Sequence, residues 1–300
     1  MLQKFDERNR DLLININGKM LHRDEAGVSP FDSVVQGGDA VWEGLRLYDR
    51  RIFQLHEHLD RLRHSAKSLA FQEIPTREQL VEEIRQTLKA NKMRDEVHIR
   101  LTLTRGVKIT SGMDPRLNQS GPTLIVLAEF KKPVYGAEGI SLITSTYRRP
   151  SPDVLDSKIH HNNLLNSILA KIQANAAGAD DALMLDSRGF VAETNATHVF
   201  MVAEGKVITS RTVACPEGIT RAIVLQICQQ LSIPHEQRDV SLAELYRSSE
   251  VFCTGTMGEL VPVSLIDGNQ IGDGDAGPIL KRLTTAFREL TSRSGVEVVD

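Results

Sequence analysis

The chain has 300 residues, of which 41% are hydrophobic and 25% charged, with a formal net charge of −3. That length can bury a sizeable core in one large or two smaller domains without covalent staples, and near neutrality without a long basic block removes nucleic acid from the expected partners. No apolar run is long enough to span a bilayer, the opening MLQKFDERNRDLL is too charged for a signal peptide, and Cys215, Cys228 and Cys253 lie far apart without a C-x-x-C, which argues against a disulfide framework or zinc knuckle and fits a reducing cytoplasm.

In chain order, LLININGKML alternates and breaks at Asn17-Gly18, which predicts a hairpin. VWEGLRLYD and RIFQL read as strands joined by a turn at Asp49 and Arg50. From His56 the period becomes helical through Leu59, Leu62, Ala66, Leu69 and Ala70, and a second helix is expected over 77–91 with Leu80, Ile84 and Leu88 on one face. HIRLTLTRG and PTLIVLAEF are strands. The polar, turn-rich KKPVYGAEG, residues 131–139, is expected as the linker between an N-terminal domain (1–130) and a C-terminal domain (140–300). The second half begins with a strand, ISLITSTYR, and continues into a helix with Leu164, Leu165, Ile168, Leu169 and Ile172 on one face. DALMLDSRGFVAETNATHVFMVAEGKVIT reads as short strands with turns at Ser187–Gly189 and Glu204-Gly205. PEGITRAIVLQICQQLSI is a turn and then a helix with Ile223, Val224, Ile227, Cys228 and Leu231 inward. VSLAEL places Ser241 and Glu244 at capping-box spacing, and EVFCTGTMGELVPV is a strand, a glycine-bracketed loop and a strand. Strands in antiparallel-looking groups with helices attached give an α+β class.

The chemistry gathers around LDSKIHHNNLLNSILAK, residues 155–171. A metal site is disfavoured, because His160 and His161 are adjacent and point to opposite faces of an extended segment, and HEHLD at 56–60 is not H-E-x-x-H. Lys158, between a strand and a helix, is expected to be buried or half-buried. A desolvated lysine gives up part of its proton affinity and can attack a carbonyl; a solvated surface lysine is the plainer alternative. In PEGIT, the amides of Gly218, Ile219 and Thr220 open a helix and suit an anion. In TGTMG, Thr254, Gly255 and Thr256 form a second small-residue loop. Ordinary caps and turns look the same. Glu193, flanked by apolar residues in FVAETNATHVF, needs a partner if buried, and a protonated ring nitrogen would serve; otherwise it is a strand residue facing water.

A Schiff-base lysine, a phosphate cradle and a carboxylate for a heteroaromatic nitrogen are what pyridoxal phosphate requires. Across DAVWEGLRLYD, HEHLDRLRHSAKSL, SKIHHNN, ADDALMLDSRGFVAETNATHVF, PEGITRAIV and VFCTGTMGELVPV, in that order, the chain resembles the class IV (fold-type IV) pyridoxal-phosphate aminotransferases, which include branched-chain and D-amino-acid aminotransferases. The resemblance implies a two-domain α+β fold with a smaller N-terminal and a larger C-terminal α/β domain, a cytoplasmic homodimer, and amino-acid and 2-oxo-acid substrates. It makes Lys158 the Schiff-base lysine, which shuttles the α-proton, and Glu193 the partner of the ring nitrogen. Arg61, Gly218, Ile219, Thr220 and Thr256 become the phosphate site. His160, His161, Asn162 and Asn163 line the approach to Lys158, and Arg100 is an active-site arginine. Gly37, His98 and Asn163 stand where branched-chain members carry tyrosines, Trp42 replaces a phenylalanine, and Met257 joins them around the substrate. The implied reaction is ping-pong transfer from a hydrophobic or branched-chain L-amino acid to 2-oxoglutarate. The alternatives on the same scaffold are a D-amino-acid or (R)-amine transaminase and an aminodeoxychorismate-lyase-like enzyme, and a binding protein that has lost the cofactor is disfavoured by the presence of Lys158, Glu193, Arg61 and GIT.

Overall fold

The computed structural model describes residues 3–136 and 138–300, so Ala137, within the expected linker, lies outside the described residues. The chain forms two compact units. The first comprises residues 3–132, 159–163 and 291–300, and the second residues 133–158 and 164–290.

The first unit opens with the expected hairpin. Strands β1 (Leu13–Ile16) and β2 (Lys19–His22) turn at Asn17 and Gly18, whose φ angles of 50° and 80° match the twist of the strands. Helix α1 (Ser33–Gly37), β3 (Ala40–Tyr48), β4 (Arg51–Ile52), α2 (Leu55–Ser68), α3 (Arg77–Ala90), β5 (Val97–Thr104) and β6 (Thr123–Phe130) follow. RIFQL was expected to be strand throughout, but only Arg51–Ile52 pairs, because α2 already begins at Leu55. The strands lie in the order β4-β3-β5-β6-β1-β2, each neighbour antiparallel. Leu59, Leu62 and Ala66 of α2 and Leu80, Ile84 and Leu88 of α3 are fully buried in one core with Val41, Leu45, Leu47, Ile99 and Leu101 of the sheet. Leu69 and Ala70 fall beyond the end of α2, and Ala70 turns into the left-handed region at φ 56°. A capping box between Thr76 and Gln79 fixes the start of α3. Strand alternation turns Val41, Glu43, Leu45 and Leu47 toward the helices, and Trp42, Gly44 and Arg46 to the other face, opposite Thr102, Arg100 and His98.

The second unit contains β7 (Ile140–Thr144), α4 (Pro152–Leu155), α5 (Leu165–Ala176), β8 (Asp181–Leu185), β9 (Val191–Thr194), β10 (His198–Ala203), β11 (Lys206–Thr209), α6 (Ile219–Gln230), β12 (His235–Gln237), α7 (Leu242–Tyr246), β13 (Glu250–Gly255), β14 (Glu259–Ile266), β15 (Asn269–Gln270) and most of α8 (Pro278–Arg293). Strand β16 (Val296–Glu297) then pairs with β4 of the first unit's sheet. The second sheet runs β12-β11-β10-β13-β14-β7-β8-β9, with β15 on β14. It is mixed rather than purely antiparallel: β11/β12, β14/β7 and β7/β8 are parallel. The last follows from connectivity, since a crossover through α4 and α5 restarts β8 in the direction of β7.

The apolar residues of α5 do share a face, but that face points outward. Leu165, Ile168, Leu169 and Ile172 are exposed, while Ala170 and Ala174 are buried against Ala182 and Met184. Small residues let α5 lie close on β8 and leave the large ones outside. On α6, Ile223, Val224, Ile227 and Cys228 are buried as expected, but Leu231 follows the last helical turn and is exposed. The expected capping box at Ser241 and Glu244 is formed. Cys215, Cys228 and Cys253 are unpaired and buried, and burial pushes their thiols up to about 12, about 11 and about 12, which makes them inert at neutral pH. Among the described residues no helix is long and apolar enough to cross a membrane.

Candidate active site

In the second unit, Lys158 lies in the turn after α4, its backbone N–H donating to Asp156 Oδ1 at 2.9 Å. It was expected to be at least half-buried. It is exposed, the last residue of the second unit before the chain passes to the first. Its neighbour Ser157 is buried, and Ser157 Oγ accepts from Arg149 Nη2 at 3.3 Å. The same Nη2 lies 2.9 Å from Glu193 Oε1, with side-chain exposures of only 10% and 8% for the pair. Glu193, on β9 opposite Met184, is therefore buried and does not face water. Its partner within the chain is an arginine that sequence reading missed. Arg149 is one of two adjacent arginines in TYRRP, and nothing local separates it from a solvated charge. It is fixed further by Ala214 O, Asn166 Oδ1 and Ser167 Oγ, each at 3.3 Å.

The two small-residue loops meet through a histidine. Gly218 precedes α6 with φ −66° and ψ 127° and offers no side chain to the first amides of the helix. A Cβ there would fall inside the imidazole of His198. His198 is the cross-strand partner of Thr254, the next-to-last residue of β13. Ile219 and Thr220 open the helix beside this contact, and Thr256 and Met257 occupy the half-buried turn after β13. The Met257 carbonyl accepts from Val134 N–H at 3.1 Å. Thr254 is fully buried, yet its Oγ1 has no hydrogen-bond partner among the described residues. Arg221, in the first turn of α6, is also buried, which lowers its pKa, and it donates to Ser210 O and Gln237 Oε1 at 2.7 and 2.8 Å. A capless helix start, an orphaned hydroxyl and a buried guanidinium suit an anion. Because φ at Gly218 is ordinary, Gly218→Ala strains no backbone and acts only through His198. It is expected to destabilise by about 1–3 kcal/mol, read as a fall in melting temperature that His198→Ala partly reverses. An equal loss with and without His198 would rule out this contact as the cause.

In the first unit, Arg61 of α2 does not stand alone. Its Nε and Nη2 each donate at 2.7 Å to Glu43, on Oε1 and Oε2. His58 Nδ1 is 2.7 Å from Oε2, and His160 Nδ1 is 3.4 Å from Oε1. Burial pushes the Glu43 carboxyl up, but Arg61 and His160 outweigh it and hold it well below the usual carboxylate range. Burial pulls His58 down. Sequence reading passed over Glu43 as one residue of a strand.

Residues 159–163 are strapped along β3. His160 O accepts from Trp42 N–H at 3.0 Å, Ala40 O from Asn162 N–H at 2.8 Å, and His161 O from the Trp42 indole at 3.1 Å. The His160 ring also bonds Trp42 O and stacks on the indole at 4.5 Å. The Arg100 guanidinium lies 4.0 Å from the Trp42 ring centre and donates to Asn162 Oδ1 at 2.7 Å, and burial lowers its pKa. His98 shares that sheet face, its Nδ1 3.2 Å from Leu45 O, and burial pushes it down to about 3, so it is a neutral imidazole. Gly44 has no side chain between them: a Cβ would stand 3.2 Å from His98 and 3.6 Å from Trp42. Gly37 is exposed at the end of α1, next to Gly38, whose Cβ position is 3.7 Å from Asn163 Cβ. Trp42, His98 and Arg100 thus share one face, Gly37 and Asn163 one corner, and Met257 belongs to the other unit.

A sequence model described as "Amino-transferase class IV" matches residues 40–266. The chain belongs to the class IV aminotransferases. This aminotransferase chain is 55% identical over 291 residues to branched-chain-amino-acid aminotransferase-like protein 2 of Arabidopsis thaliana, covering 97% of this chain and 52% of that protein. It spans about half the length of that relative and of a second Arabidopsis one. It is 40% identical over 288 residues to a putative branched-chain-amino-acid aminotransferase of Methanocaldococcus jannaschii, covering 96% of this chain and 99% of the other. Among solved structures it resembles a branched-chain amino acid aminotransferase complexed with N-(5'-phosphopyridoxyl)-L-glutamate, with a TM-score of 0.87, 34% identity and 94% of each chain covered. It also resembles the Escherichia coli branched-chain amino acid aminotransferase, with a TM-score of 0.88, 28% identity, and 96% of this chain and 97% of that one covered. The fold-type IV, α+β expectation is met.

Proposed function

We propose that this chain is a pyridoxal-phosphate-dependent transaminase that moves an amino group from a hydrophobic or branched-chain L-amino acid to 2-oxoglutarate, the first product leaving before the second substrate enters. The observation that carries the reading is the buried Arg149–Glu193 pair, joined through Ser157 to the turn that bears Lys158. The residues present fit the cofactor. Thr254 Oγ1 is an orphaned buried hydroxyl, and the first amides of α6 have no side-chain cap. When bound, pyridoxal phosphate supplies an aldehyde that amines join and a ring that takes up negative charge. Lys158 offers the joining amine, and its Nζ then moves the α-proton. Glu193 accepts the hydrogen bond of a protonated ring nitrogen, while Arg149 holds Glu193 in place. Gly218, Ile219 and Thr220 amides, the Thr256 hydroxyl and Arg61 hold the phosphate. Arg100 takes a carboxylate, and Trp42, neutral His98, Gly37, Asn163 and Met257 surround the side chain. The reading includes a smaller N-terminal domain (1–130) and a cofactor domain (140–300) linked by 131–139; a unit boundary at 132/133 supports it, although 159–163 and 291–300 group with the first unit.

Small or polar groups at Gly37, His98 and Asn163 widen the pocket, because each lost apolar contact gives up only about 1–3 kcal/mol of discrimination. Broad donor use at modest rates is therefore expected. The test is kcat/KM for L-leucine, L-valine, D-alanine and (R)-1-phenylethylamine against one acceptor. The L-amino acids should lead; if D-alanine or the amine exceeds both, the branched-chain reading is wrong.

The exposed Leu165, Ile168, Leu169 and Ile172 of α5 support a homodimer. Ile168→Asp is expected to shift the protein to monomers in light scattering, and an unchanged mass would remove α5 from the interface. The three buried, unpaired thiols support a cytoplasmic location.

A further inference from the structure

Glu43 is a fully buried carboxylate on a strand face whose other members, Val41, Leu45 and Leu47, are apolar and equally buried. An ion in that position is expensive to desolvate unless it is paired. Its neighbours supply the pairing from two other elements: Arg61 and His58 from α2, and His160 from the segment strapped along β3. If stability were the only requirement, an apolar residue would meet it, as at Val41 and Leu45, because buried ion pairs are often replaced by hydrophobes without loss. What a carboxylate adds is geometry. Two parallel bonds to Nε and Nη2 fix the plane of the guanidinium, which a single acceptor cannot do.

We propose that Glu43 is a positioning residue for cofactor binding: it aims the Arg61 guanidinium at the phosphate and, through His160, ties down the segment that follows Lys158. This rests on the reading of Arg61 as a phosphate ligand. Glu43→Gln keeps the shape but turns an amide N–H toward a donor, so Arg61 must leave its plane. The orientation effect outweighs the gain from removing a competing anion, because Arg61, only 16% exposed, has little room to find another pose.

The test is titration of the apoprotein with pyridoxal phosphate and with phosphate-free pyridoxal, for the wild type, Glu43→Gln, Arg61→Ala and the double variant. Glu43→Gln should weaken pyridoxal phosphate by about tenfold or more, leave pyridoxal unchanged, and add nothing in the Arg61→Ala background. Equal loss for both cofactors, full retention of the phosphate form, or an additive loss on Arg61→Ala would overturn the proposal. If Arg61→Ala itself leaves pyridoxal phosphate binding intact, the Arg61 reading fails and this one with it. A loss in Arg61→Ala with none in Glu43→Gln overturns Glu43 alone. Should Glu43→Gln not fold, Glu43→Asp, which keeps the charge but shortens its reach, must show the same selective loss; an unchanged ratio of the two affinities overturns the proposal.

Discussion

Lys158→Ala is expected to leave a folded chain that neither transaminates nor holds pyridoxal phosphate covalently. The variant removes the one amine assigned both to joining the cofactor and to moving the α-proton. The fold should persist because Lys158 is exposed and its backbone N–H, held by Asp156, is untouched. The measurement is the visible absorbance of the reconstituted protein, with borohydride trapping and peptide mapping. Wild type should give a reduced cofactor on the peptide bearing Lys158, and the variant none. A trapped cofactor on any other peptide would sink the assignment.

Glu193→Gln is expected to bind cofactor yet turn over about 10²-fold more slowly or worse, the scale seen when a preorganised electrostatic group is removed. A neutral amide stabilises a ring cation poorly. The same change leaves Arg149 buried without its carboxylate, so the melting temperature should fall as well. Measuring kcat at saturating cofactor, on the fraction shown to be folded, separates the two effects. Near-normal kcat would mean that another residue faces the ring nitrogen.

The elements of the fold were readable because local chemistry and tertiary packing agree there. Asn17-Gly18 can adopt positive φ, and Leu80, Ile84 and Leu88 repeat at the helical period and are fully buried. Reading failed where a residue's meaning depends on distant partners. The α5 pattern predicts a face but not which way it turns; that is set by Ala170 and Ala174 packing on β8. Lys158 was expected between a strand and a helix; the short helix α4 precedes it instead, and its exposure depends on how the turn after α4 is held. Arg149 and Glu43 left no local signal, because each matters only through a charge brought to it by the fold, Glu193 in one case and Arg61 in the other.

Among the described residues, the boundaries between the two units fall at 132/133, 158/159, 163/164 and 290/291, four passages of the backbone from one to the other. Severing the chain once, at the linker or beside Lys158, leaves three passages intact. Neither unit can therefore be excised as a continuous gene segment. During synthesis the first unit lacks the 159–163 strap and β16 until later chain has emerged, so it is completed only after the residues of the second unit have been made.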